Sequence, residues 1–155
     1  MRFKSVLFLI FIVGVIVTTA FAQNEGPIAA IGRSNIDANV SDKKDFDTIL
    51  NRDLTKYVTD AGDKDIRVVV ELLRNGPSQS GVALPKFYIW IEKRNSKGEI
   101  MDEAATRIAA VEKAHFDVIQ YYDRKRILAE PELISKVFPT DVYEKILNKL
   151  KAHEK

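Results

Sequence analysis

The chain reads as a small α+β protein, on three observations. One apolar stripe recurs at spacings of three and four between Phe46 and Ala61. Two later stretches alternate at period two. Two short apolar helices, framed by Pro131 and Pro139, close the chain.

The first 22 residues stand apart. Arg2 and Lys4 give a short basic start, an apolar run follows from Val6 to Val17, and Ala20-Phe21-Ala22 sets small residues just before Gln23. That is the three-part pattern of a secretory signal peptide, so the protein is expected to be exported to the periplasm or outside the cell, with cleavage at Ala22-Gln23. An uncleaved anchor is the competing reading. The run is short of the roughly 20 apolar residues a spanning helix needs. On the signal reading, the membrane matters only during export.

Cleavage changes the charge. The chain has 24 basic and 22 acidic residues, and Arg2 and Lys4 leave with the signal. The exported chain is therefore formally neutral, which argues against nucleic-acid binding driven by phosphate contacts. There is no cysteine. Disulfides, thiol chemistry and a cysteine-based zinc site are excluded, and packing alone must hold the domain.

Residues 23–40 are small and polar, with Gly26-Pro27 and several Asn and Asp, and read as a flexible leader. The single domain is expected over 41–155. Its first helix carries Phe46, Ile49, Leu50, Leu54, Tyr57, Val58 and Ala61 on one side. Ser41 or Asp42 can cap its start, and Gly62 can stop it.

Strands follow. Asp65–Arg74 places Ile66, Val68, Val70 and Leu72 on one face and Val69 and Leu73 on the other. Lys86–Lys93 sets Phe87, Ile89 and Ile91 against Tyr88, Trp90 and Glu92. Asn75–Pro85 holds two Gly and two Pro, so a long loop joins them. Asn95-Ser96-Lys97-Gly98 is a tight turn into a third strand. Between Glu103 and Tyr122 helical and alternating spacings coexist. The preceding turn favours strand, long and bent or broken near Glu112-Lys113. At the end, Pro131 opens a helix bearing Leu133, Ile134, Val137 and Phe138. Thr140 or Asp141 caps a last helix bearing Val142, Tyr143, Ile146, Leu147 and Leu150.

An N-terminal helix on a meander of three or four antiparallel strands, followed by two short helices, resembles the cystatin-like and NTF2-like folds in element order alone. Such a likeness carries no function. Both faces of the first two strands are apolar, so both need a cover. The C-terminal helices or a second subunit, in a homodimer, could supply the second one.

No phosphate loop, nucleophile elbow, metal-ligand spacing or cofactor motif is present. His115 and Asp117 would share a strand face, and an acid beside an imidazole can make a general base. The plain alternative is a surface histidine beside an acid. In an enzyme, Tyr88 or Tyr122 would be the hydrogen-bond donor. Tyr88, Trp90 and Tyr122 could equally form a ligand pocket, a partner contact, or core beneath the C-terminal helices. The loop 76–85 carries Gln79, Val82 and Leu84 between prolines, and loops of this kind often recognise partners. The Gln-x-Val-x-Gly hairpin of cystatin inhibitors is absent from it. Asp123-Arg124-Lys125-Arg126 reads as a solvated charge run. Together these readings favour a binding protein without catalysis, for another envelope or extracellular protein or a small apolar ligand. A small-molecule enzyme and a protease inhibitor using the 76–85 loop are the alternatives.

Overall fold

A computed structural model describes residues 26–59 and 65–153. The expected signal segment, Gln23, Ala61 and the Gly62 helix stop lie outside the described residues. Among the described residues, five helices and four strands follow one another as α1 (Pro27–Asn39), α2 (Lys43–Val58), β1 (Arg67–Leu72), β2 (Lys86–Arg94), β3 (Ile100–Val111), β4 (His115–Asp123), α3 (Arg124–Ala129), α4 (Pro131–Val137) and α5 (Thr140–Ala152). The sheet is an antiparallel meander in the order β1-β2-β3-β4.

Alternation along β2 and β3 builds two cores on opposite faces of this sheet. Phe87, Ile89 and Ile91 join Ala104, Ile108 and Phe116 beneath Leu50, Leu54 and Val58 of α2. Tyr88, Trp90, Ala105 and Tyr122 face the other way and meet Ile127, Ile134, Phe138, Val142, Ile146 and Leu150 of the last three helices. The C-terminal helices are thus a cover for the second face. Burying each of these large side chains is worth about 1.5–3 kcal/mol, and both faces draw on that term.

The stretch 103–122 is strand, divided at the suspected place. Val111, Glu112, Lys113 and Ala114 form a hairpin turn, with the Ala114 amide donating to the Val111 carbonyl at 3.0 Å. Glu112 and Lys113 both take left-handed backbone angles, φ 50° and 59°. The expected turn at 95–98 is present, and Gly98 holds φ 83° there.

Four expectations need correction. Residues 27–39 are helix rather than irregular leader. Pro27 presets the first turn, and tertiary bonds hold the rest. Asn35 Nδ2 donates to the Ala83 carbonyl at 2.8 Å, and the Glu112 and Lys113 amides donate to Asn39 at 3.0 and 2.8 Å. The C-terminal region holds three helices, not two. The added α3 starts where the Asp123 carboxylate accepts from the Arg126 amide at 2.7 Å. Its charge run is not wholly solvated, because Arg124 turns inward to the buried Glu103. The caps also differ. Asp42 precedes α2 without a side-chain cap bond, and Pro139 rather than Thr140 or Asp141 takes the position before α5.

Candidate functional site

Three places gather polar or exposed groups. The first is formed by α1 and the loop 76–85. The loop starts as a short bridge to β2, with Ser78 and Lys86 exchanging amide–carbonyl bonds of 2.8 and 2.9 Å. Gly81, at φ 55°, turns it back, and Gln79 Nε2 donates to the Gly81 carbonyl at 2.8 Å. The Gln79 stem lies against Gly32, and Asn35 holds the Ala83 carbonyl, so α1 clasps the loop at two points. Pro85 is buried and fixes its far end.

This scaffold leaves apolar groups in water. Val82 is 85% exposed and Ile28 75%, with Ile31 and Leu84 also exposed. Open clefts of about 590 and 510 Å³ flank α1. Ile28 and Gly81 line the first, Ile31 and Val82 the second. No side chain of α1 is buried. An amphipathic helix normally turns its apolar stripe inward. Here the isoleucines of the first turns face solvent beside the loop.

The second place is an open groove of about 950 Å³ between α2 and the start of β4, lined by Arg52, Asp53, Lys56, Tyr57, His115 and Asp117 among others. His115 Nε2 lies 3.5 Å from Asp117 Oδ1, and both side chains are largely exposed. Asp53 is already engaged. It accepts from Arg52 at 2.7 and 3.1 Å and from the Phe116 amide at 2.8 Å. Tyr121 packs against Tyr57 with ring centres 5.6 Å apart and the rings tilted by 50°. Burial, then Asp102, Asp123 and Tyr57, push its hydroxyl up to about 12. Tyr88 and Tyr122, the donors an enzyme would recruit, are not in this groove. They pack with Trp90 inside the opposite core. The structure therefore brings His115 to Asp117 but does not bring the tyrosines to them.

The third place was not singled out from the sequence. Glu92 and Glu103 are paired directly across β2 and β3, and both are buried. Arg94 donates twice to Glu92 Oε2, at 2.9 and 2.5 Å. Glu103 takes Arg124 on one oxygen and His153 Nδ1 on the other. The donor atoms of Glu92, Glu103 and His153 lie within 4.8 Å of one another, close enough to surround a cation. The two guanidiniums already supply the positive charge such an ion would bring, so the cluster reads as an internal charge network. The signal for it was present. Glu92 continues the Tyr88–Trp90 alternation, and an acid at a core position calls for a partner.

Among the described residues no helix is long and apolar enough to cross a membrane. Compared with known proteins, the chain matches no family model, no curated protein and no solved structure.

Proposed function

We propose that this chain is an exported binding protein that acts without catalysis and meets another envelope or extracellular protein through α1 and the 76–85 loop. One observation carries the reading: Ile28, Ile31, Val82 and Leu84 are held in water by a helix and a loop that are fastened to each other. Exposed apolar groups on a fixed scaffold mark interaction sites. A small apolar ligand would need most of its surface enclosed, whereas the clefts beside α1 are open. A protein partner suits them better. The export half of the proposal rests on the N-terminal pattern, and N-terminal sequencing of the mature protein checks it. Gln23 as first residue is the expected result, and an intact Met1 or Arg2 start overturns it.

The contact is tested by placing a photoreactive amino acid at position 82 and irradiating cells that express the chain. A discrete adduct is expected. Ile31→Asp should cut its yield about tenfold, as for one interface anchor, while His115→Ala leaves it unchanged. An adduct indifferent to Ile31→Asp, or lost with His115→Ala, would overturn the assignment of this surface.

A further inference from the structure

The sheet ends on two edge strands that differ in kind. β4 slips register opposite Arg107/Ile108 and carries His115, Asp117 and Asp123. A bulge and charges are the usual devices that keep an edge from pairing. β1 has neither. It runs Arg67-Val68-Val69-Val70-Glu71-Leu72 and pairs with β2 over all six residues without a slip. Among the described residues no strand pairs with its other side. The Leu73 amide donates to the Tyr88 carbonyl at 2.8 Å. That sets the phase of the ladder: odd-numbered residues turn their backbone groups to β2, and Val68, Val70 and Leu72 turn theirs outward. The three valines remain only half-buried.

We propose that a second copy of this chain docks on this edge, β1 against β1, antiparallel about a two-fold axis through Val69. Charge chooses that register. With the axis at Val69, Arg67 of each copy faces Glu71 of the other, and both residues are exposed. Val68 then faces Val70, and these are the residues whose backbone groups point outward, so each such pair exchanges two hydrogen bonds. Val69 faces its own copy as a non-hydrogen-bonded pair, where Cα atoms approach to about 4.5 Å. An axis at Val70 would set Val69 against Glu71 and Arg67 against the buried Leu73, losing the ion pairs. The two four-stranded sheets would become one continuous sheet. The surface is separate from α1 and its loop, so this dimer stands or falls independently of the partner proposed above.

The experiment uses the chain purified after expression with its own N-terminal segment. Sedimentation equilibrium should show mass rising from monomer toward dimer with concentration. Because the chain has no cysteine, Val69→Cys gives a clean probe. It should cross-link to its own copy under mild oxidation, and Val70→Cys should do so about tenfold more slowly, lying at a hydrogen-bonded pair off the axis. Arg67→Glu and Glu71→Arg should each weaken the dimer about tenfold by setting like charges opposite. Mixing the two variants should restore it, since each mixed pair is again of opposite sign. Glu71→Arg also loses the contact to Lys149 of its own chain, and recovery on mixing separates that effect from the interface. A monomer at every concentration overturns the proposal. So does a dimer in which Val69→Cys stays unlinked, or one that mixing fails to restore.

Discussion

Asp53 shows how much one side chain can fasten. Its carboxylate accepts from Arg52 of its own helix and from the Phe116 amide at the start of β4, while Arg52 reaches on to the Ala114 carbonyl at 2.7 Å. Burial pushes the Asp53 carboxyl up. Hydrogen bonds from Arg52 and Phe116, with the charges of Arg52 and His115, more than reverse this and hold it below the ordinary carboxylate value. A group lowered on folding stabilises the fold above its unfolded value, and the gain is lost as pH falls through the folded value. Asp53→Asn should therefore cost about 1–2 kcal/mol at neutral pH. The gap to the wild type should close as the pH drops below about 4. Urea unfolding of both proteins at neutral and strongly acid pH measures this. A gap that persists in acid would mean shape rather than charge is responsible. None of this was visible in the chain as written, because the Arg52-Asp53 neighbours look like any exposed helical pair until β4 arrives beside them.

At the scale of elements, the β3–β4 hairpin carries the clearest strain. Glu112 and Lys113 occupy left-handed angles that suit Gly, Asn or Asp. What tolerates them is Asn39 at the end of α1, which accepts from both of their amides through its side chain and its carbonyl. Replacing the pair by Asn-Gly keeps those amides and relieves the strain, so Glu112→Asn with Lys113→Gly should raise stability by about 1–2 kcal/mol. The midpoint of thermal unfolding reads this out, and a lower midpoint would show that the side chains of Glu112 and Lys113 contribute something the backbone does not. The same hairpin explains what could be read in advance. Thr106, Ile108 and Ala110 alternate as strand because they face a core, so β3 was legible. The turn was legible only as a break, because it lacks turn residues and depends on Asn39, distant in sequence. α1 was missed for a related reason. Its Gly, Asn and Asp content reads as loop, and its helix is held by Asn35 and Asn39 bonding to other elements. α3 escaped notice because a short charged turn with Ile127 as its one buried residue has too little period to see. The candidate residues divide in the same way. Tyr88 and Trp90 share a sheet face by alternation along β2, whereas Tyr122 joins them only because β4 slips register between Val118 and Gln120, and the pairing of Glu103 with His153 needed α5 to return to β3.

For the whole molecule, the three-layer arrangement puts one sheet between two cores, and the sheet decides whether they fail together. β2 serves both: Ile89 points to α2 and Trp90 to α5, one residue apart. α5 is also tied to the edge of the sheet, where Lys145 donates to the Leu73 carbonyl at 2.6 Å and Lys149 meets Glu71. A layer cannot leave without exposing the inner strands that the other layer needs, which is the condition for one cooperative transition. Trp90 is the only tryptophan and lies wholly on the α5 side. It therefore reports on one core while a substitution disturbs the other. Leu54, on the inner face of α2, is fully buried against the sheet, and Leu54→Ala should cost about 3 kcal/mol through lost burial and the cavity left behind. If the sheet couples the layers, Trp90 fluorescence and far-ultraviolet circular dichroism will give one shared midpoint in the wild type. They will give one shared, lower midpoint in the variant. If the cores are independent, the Trp90 midpoint will stay where it was while the dichroism curve splits, because the helix on the far side will have melted over a sheet still held by the C-terminal helices.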